Sequence, residues 1–282
     1  MDRRTEIREF LASRRARITP QQAGLIAYGR NRRVPGLRRE EVALLAGVSI
    51  DYYTQLERGD ARGVSDEVLE AIARALQLDE AERAHLFDLV RTAHTTGSAP
   101  SRAAQPGVRP SVQQILDAMT GAAAFVRNGR LDVLSANRLG YALYSEVVGF
   151  PPRPANLARF IFLDGRESGF YADRQGIEHA AVGSLRAEAG RNPGDAALAD
   201  LIGELSAGSD EFRALWAAHN VRYYRSGVQP FRHALVGELA LNYNALELPA
   251  DPGQTMIVYS ADAGSPAERA LTQLASWPPS LE

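Results

Sequence analysis

Between Arg39 and Gly59 the chain reads Arg-Glu-Glu-Val-Ala-Leu-Leu-Ala-Gly-Val-Ser-Ile-Asp-Tyr-Tyr-Thr-Gln-Leu-Glu-Arg-Gly. The first stretch carries apolar residues at helical spacing, with Val42, Ala43, Leu45 and Ala46 on one face, and it stops at Gly47. Gly47 tolerates the positive φ of a helix end, and Ser49 suits the N-cap of a following helix. That second helix sets Tyr53 and Leu56 on one side and Asp51, Tyr52 and Gln55 on the other, and it ends at Gly59. The small Ala43 lets the two helices cross closely, with Val48, Tyr53 and Leu56 forming the seam. Two helices joined by so short a turn hold the second one rigidly enough to enter a DNA major groove.

Charge supports the same end of the chain. The formal net charge of −2 is an average. Residues 1–65 hold 13 Arg against 8 acids, a balance of +5, and residues 66–282 hold 19 Arg against 26 acids, a balance of −7. All 32 basic side chains are Arg, and five of them fall within residues 30–39 with no acid among them. Planar guanidinium groups pair bidentately with phosphate and guanine, so this end suits a polyanion.

Three further helices complete a small bundle. Residues 3–15 place Ile7, Phe10, Leu11 and Arg14 along one stripe, Ser65 caps a helix with Val68, Leu69, Ile72, Ala73 and Leu76 inside, and Asp79 caps another carrying Ala81, His85, Leu86 and Leu89. His85, among packing positions, reads as structural. Residues 94–111, with three Pro and two Gly, read as a linker. The expected organisation is therefore a helix-turn-helix domain over 1–93, a linker over 94–111 and a second domain over 112–282. In that second domain Asn128-Gly129 between two apolar runs signals a hairpin. A helix near 136–147 and a mostly helical stretch over 155–218 follow. Strands are expected at Val221–Arg225, Phe231–Val236, Leu239–Leu246 and Thr255–Tyr259, and a last helix at 266–275. The expected fold class is an all-α five-helix domain followed by an α+β domain, its antiparallel sheet interrupted by a helical insertion.

Several function classes drop out. Without Cys there is no disulfide, Cys-bound zinc, iron–sulfur cluster or thiol nucleophile. The sequence has no apolar run of the ~20 residues that span a bilayer, and no signal-peptide core follows the charged N-terminus, so a cytoplasmic protein without a membrane partner is expected. There is no His-Glu-x-x-His, Gly-x-Ser-x-Gly, Walker loop or Gly-x-Gly-x-x-Gly, so no catalytic residue, metal or cofactor is assigned.

Residues 5–93 resemble the XRE family of helix-turn-helix regulators. The block from Arg33 through Ser49, with Asp51-Tyr-Tyr-Thr-Gln-Leu-Glu-Arg-Gly, resembles its MmyB-like branch, common in actinobacteria. The resemblance implies a double-stranded DNA operator. Base edges would be touched by Arg39, Asp51, Tyr52 and Gln55, with Ile50 as an apolar contact. Arg38 and Arg58 suit phosphates, while Arg30, Arg32 and Arg33 would follow the backbone or enter the minor groove. Asp51 reads cytosine, orients Arg39 or caps its helix, the last two being favoured.

The second half also resembles the MmyB-like family, through Leu131-Asp-Val-Leu-Ser-Ala-Asn-Arg, Asn156-Leu-Ala-Arg-Phe-Ile-Phe-Leu-Asp, the Ser209–Arg222 stretch, His233-Ala-Leu-Val-Gly-Glu-Leu-Ala-Leu-Asn-Tyr and Asp251-Pro-Gly-Gln-Thr. This implies a PAS-like domain that senses a small apolar ligand such as a fatty acid, and a homodimer joined through this domain is expected because helix-turn-helix folds bind two half-sites. Two departures stand out. Ala234 follows His233 where the family has Pro, and Arg174 follows Asp173 where the family tends to Trp. A pocket wants apolar walls with a few polar groups. Phe125, Leu134, Tyr141, Tyr144, Phe160, Phe162, Trp216, Tyr223 and Phe231 are the apolar candidates, and Asn137, His219, Arg222 and His233 the polar ones. Two other readings stand beside this one. The second domain is an oligomerisation or docking module without a ligand, or a cryptic hydrolase built on His219 or His233.

Overall fold

The computed structural model describes residues 3–25, 34–94, 107–149, 154–220 and 225–276. The chain divides into two units. One comprises Met1–Ala99 with Ala189–Ala199 and Trp216–Arg222, and the other Pro100–Glu188, Asp200–Leu215 and Tyr223–Glu282. The short segments 189–199 and 216–222, which the sequence reading placed in the second domain, thus group with the first unit.

The N-terminal helices are α1 (Arg3–Arg17), α2 (Arg39–Ala46), α3 (Ile50–Glu57), α4 (Asp66–Ala75) and α5 (Glu80–His94). Local signals decide their ends. Gly47 closes α2 at φ 67°, and the Ser49 hydroxyl accepts from the Tyr52 N–H at the start of α3. Ser65 does the same for Val68 on α4. Asp79 and Glu82 exchange side-chain and backbone hydrogen bonds at 2.8 and 3.2 Å, a reciprocal box that starts α5. The core collects Ile7, Phe10, Leu11, Val42, Ala43, Tyr53, Leu56, Leu69, Ile72, Leu86 and Leu89, all buried. Leu45 departs from expectation. It sits at the margin of the short α2 stripe and is exposed. Arg14, on the apolar stripe of α1, is buried nonetheless. Its Nε lies 3.1 Å from Glu82, and its guanidinium stacks on the Phe10 ring at 4.8 Å. His85 is buried with its ring edge-on to Phe10.

The second unit runs α6 (Pro110–Ala118), β1 (Ala123–Arg127), β2 (Val133–Ala136), α7 (Arg138–Leu143), α8 (Ser145–Val148), α9 (Leu157–Leu163) and α10 (Glu167–Phe170). Then come α11 (Arg174–Arg191), α12 (Ala196–Gly208) and α13 (Asp210–Ala217), whose residues within 189–199 and 216–217 belong to the first unit, and β3 (Ser226–His233), β4 (Gly237–Glu247), β5 (Thr255–Ser260) and α14 (Pro266–Ser276). The five strands form one antiparallel sheet in the order β2-β1-β5-β4-β3, and the α7–α13 stretch is inserted between β2 and β3. The all-α-then-α+β class is what the structure shows.

Strand alternation divides the sheet into two faces. On one, Ala124 and Val126 of β1 and Met256 of β5 pack with Val112 and Leu116 of α6. On the other lie Phe125 and its cross-strand partner Ile257, then Ala123 and its partner Tyr259. Three local expectations are corrected. The hairpin after β1 exists, but its loop runs from Asn128 to Asp132 and the positive φ falls on Leu131 at 68°, not on an Asn-Gly pair. The Asn128 Oδ1 accepts from the N–H groups of Arg130 and Asp132, which rounds this longer loop. β3 begins at Ser226 and stops at His233, so residues 234–236 form a turn rather than a strand end. Of the strand expected at Val221–Arg225, residues 221–224 lie outside the described residues, and Arg225 is not in a strand.

Candidate functional site

α3 is anchored from beneath and open above. Tyr53 and Leu56 have no exposure, while Asp51, Gln55 and Arg58 are exposed, Ile50 is 53 % exposed and Tyr52 is half-buried. Residues 51, 55 and 58 follow one another at helical spacing, so they share one outward strip. Arg38 is the half-buried N-cap of α2, its Nη1 3.2 Å from the Glu40 carboxylate, and its backbone N–H donates to Glu41 at 2.6 Å. Arg30, Arg32 and Arg33 lie outside the described residues.

A buried carboxylate organises this end. Glu57, the last residue of α3, is 1 % exposed and faces two guanidinium groups. Arg15 of α1 donates through Nε at 2.9 Å and Nη2 at 2.8 Å, and Arg39 of α2 through Nε at 3.0 Å, with its Nη2 2.9 Å away. Arg15 also donates to the Leu37 carbonyl at 3.0 Å, so three segments meet at one carboxylate. Burial by itself would raise the Glu57 carboxyl. The hydrogen bond and charge of Arg15, then the charge of Arg39, outweigh it and hold the group below its ordinary value. Burial next to this carboxylate pushes the Tyr53 hydroxyl well up, so it stays protonated. The favoured roles for Asp51 are both corrected. Ser49 supplies the cap and Glu57 orients Arg39, which leaves Asp51 exposed in the first turn of α3.

In the second unit the expected wall residues separate into groups. Phe125, Tyr144, Phe160 and Phe231 do come together, with Phe170, Tyr171 and Tyr259, in one buried aromatic cluster. Ring centroids lie 4.7 Å apart for Phe170 and Tyr171, 4.9 Å for Phe125 and Tyr144, and 5.4 Å for Phe231 and Tyr259, mostly edge to face. At its centre the hydroxyls of Tyr144 and Tyr259 lie 2.7 Å apart. Burial pushes Tyr259 up to about 12 and Tyr144 well above its ordinary value, so both remain neutral hydroxyls.

Two profiles of known families match the chain. The MmyB-like transcription regulator ligand binding domain matches residues 108–274, and a helix-turn-helix domain matches residues 6–86. The chain belongs to the MmyB-like regulators. It is a DNA-binding transcriptional regulator with a ligand-binding domain. No curated protein matches it. Among the described residues no helix is long and apolar enough to cross a membrane, and no group of three or more His, Asp or Glu could hold a metal ion.

Not every expected pocket residue of this MmyB-like regulator joins the cluster. Leu134 lies on the opposite sheet face, against the core under α6. Phe162 packs on Phe212 of α13 at 5.1 Å. Tyr141 is half-buried on α7 without a ring contact to the cluster among the described residues. Trp216 and His219 group with the first unit, the His219 ring 3.2 Å from the Glu9 carboxylate. Arg222 and Tyr223 lie outside the described residues. Two polar candidates are committed to the fold instead. Asn137 accepts from the N–H groups of Ala124 and Gly140 and donates to the carbonyls of Met119 and Ala122, using every hydrogen-bonding site of its amide. The His233 Nδ1 accepts from the Leu235 N–H at 3.2 Å, which leaves Nε2 to donate to the Ala142 carbonyl at 3.1 Å.

Sequence reasoning missed Glu57, Arg15, Phe170, Tyr171 and Tyr259. The signal for Glu57 was available, because it falls four residues after Tyr53 on the inward side of α3. Tyr259 shares its strand face with Ile257, the partner of Phe125. Phe170 and Tyr171, at the end of the four-residue α10, carry no periodic signal. Arg174, where the family tends to Trp, ion-pairs with Glu178 at 2.8 Å beside a shallow cleft of about 450 Å³ that His179 and Glu211 also line.

Proposed function

We propose that this regulator reads a duplex operator with the outward strip of α3 and the start of α2, works as a homodimer in the cytoplasm, and answers to a small apolar ligand of fatty-acid type. The observation that carries the DNA reading is the contrast on α3, with Tyr53 and Leu56 buried and Ile50, Asp51, Gln55 and Arg58 turned outward. Gln55 offers the paired donor and acceptor that adenine N7 and N6 require, Arg39 suits guanine, and Ile50 suits a thymine methyl. Arg38 and Arg58 serve phosphates, with Arg30, Arg32 and Arg33 adding backbone or minor-groove contacts.

For the ligand, the aromatic cluster supplies apolar walls and the Tyr144–Tyr259 hydroxyl pair supplies a polar point among them, the composition such sites use. A ligand that prefers one of two dimer arrangements shifts their balance by its differential affinity and changes the spacing of the two α3 helices. The test is selection of duplexes from a random pool, then binding of the selected duplex with and without a saturated fatty acid, with sedimentation for the oligomeric state. A protein that enriches no sequence, or whose DNA affinity ignores the fatty acid, refutes the corresponding half. The close ring packing favours a second reading, in which the cluster is a solid core and the domain a docking module. Native mass spectrometry after mild extraction separates the two, since a docking module carries no added mass.

A further inference from the structure

The two guanidinium groups on Glu57 differ in what they have left to offer. Arg15 is 16 % exposed at its side chain and uses Nε and Nη2 on Glu57 and Nη1 on the Leu37 carbonyl. Arg39 is 48 % exposed and places both Nε and Nη2 against one oxygen of Glu57. Its Nη1 has no partner among the described residues. A guanidinium carries five N–H donors in a planar fork, so an arginine held along its Nε–Nη2 edge still presents the parallel donors of its Nη1–Nη2 end. An unheld arginine samples many rotamers and must order them on binding, whereas this one is already fixed by a carboxylate that is itself 1 % exposed and held by Arg15.

We infer that Glu57 is a specificity-positioning residue: it touches no DNA, and it holds Arg39 so that the terminal two-donor edge meets a pair of acceptors on the duplex. The inference rests on the DNA reading above and deepens it. Two partners on the duplex offer that acceptor pair, guanine through O6 and N7 and the backbone through two phosphate oxygens. Lysine cannot replace such an arginine. A single ammonium gives a point charge and no fork, so charge alone does not reproduce the contact.

The experiment uses the full chain and a fluorescein-labelled duplex that the wild type enriches from a random pool. Arg39→Ala should weaken binding by about 5- to 150-fold, the range of one good bidentate contact. Glu57→Gln should weaken it by about 10-fold, and the double variant should bind no worse than Arg39→Ala, because Glu57 acts through Arg39. Losses that multiply in the double variant would show a purely structural Glu57 and overturn the inference. Arg39→Lys leaves the Arg15–Glu57 pair whole and keeps the test alive if Glu57→Gln folds poorly. It should bind more weakly than the wild type because it keeps the charge and lacks the fork, and wild-type affinity for it would also overturn the inference. A repeat selection with Arg39→Ala tells the acceptors apart. Loss of preference at one guanine position marks the base contact, and a uniform loss with a salt slope lower by about one marks the phosphate contact. A wild type that enriches no duplex overturns the DNA reading and this inference with it, an outcome distinct from multiplying losses.

Discussion

Truncating Asn137 should cost the second domain far more than an ordinary Asn→Ala change. The side chain is 2 % exposed and makes four hydrogen bonds, at 3.0 and 2.7 Å to the N–H groups of Ala124 and Gly140 and at 2.7 Å to each of the Met119 and Ala122 carbonyls. It is also the N-cap of α7. The site cannot relax by closing up, because Gly140 already lies so near Ala124 that a Cβ there would come 2.3 Å from its carbonyl oxygen. Each lost hydrogen bond is worth about 1 kcal/mol, and each orphaned buried group costs about 1–3 kcal/mol. Water entering the vacated volume recovers part of that sum, so Asn137→Ala should destabilise the domain by roughly 3–5 kcal/mol. Asn137→Asp keeps the acceptor but turns a second carboxylate oxygen toward two carbonyls. Only its protonated form restores a donor, so the folded state holds a proton that the unfolded state releases, and the stability of this variant rises as pH falls. Urea denaturation gives the magnitude, and hydrogen exchange at the Ala124 and Gly140 amides gives the location. A loss below about 1 kcal/mol with both amides still protected would refute the assignment of Asn137 as the junction of α6, β1 and α7.

Three other outcomes follow from the same geometry. Glu57→Gln should destabilise the first domain by about 3 kcal/mol, since it takes the charge from a buried carboxylate that holds the guanidinium groups of Arg15 and Arg39. In the wild type that contribution has a definite pH sense: the folded carboxyl lies below the ordinary 4.5, so it is complete above that value and fades as pH falls through the depressed one, which urea midpoints against pH should show. Gln55→Ala should leave the melting temperature unchanged and lose about 1–3 kcal/mol of discrimination at one base pair of the selected duplex. Tyr144→Phe strips the Tyr259 hydroxyl of its 2.7 Å partner and should lower stability by about 1–2 kcal/mol in thermal melts.

Much of the outward face of α3 was legible because a helix end is a local event. Gly47 and Ser49 close α2 and open α3 through atoms within three residues of each other, so composition and spacing suffice. Side-chain pairing across the chain is different. Glu57 and Arg15 are 42 residues apart, and nothing local names Glu57 as the partner of Arg15. Three arginines of α1 meet different fates: Arg14 is buried on Glu82, Arg15 grips Glu57, and Arg17 is half-exposed beside Glu82 at 3.0 Å. Residue type marks a pocket candidate but does not say which face of a sheet a strand residue meets. Leu134 and Phe125 lie on neighbouring strands yet pack in different cores, because the strand pair is shifted between Val126 and Arg127.

The sequence alone determined the helix-turn-helix, the succession of strands and helices in the second domain and the outward residues of α3, since each follows from periodicity and caps within about twenty residues. Only the tertiary structure decided what the polar residues do. It set Arg39 on Glu57 rather than Asp51, and it turned Asn137 and His233 from pocket candidates into fold-holding hydrogen bonds. The physical reason is that a buried polar group must find a partner wherever the packed chain puts one, and that position depends on contacts far away in sequence.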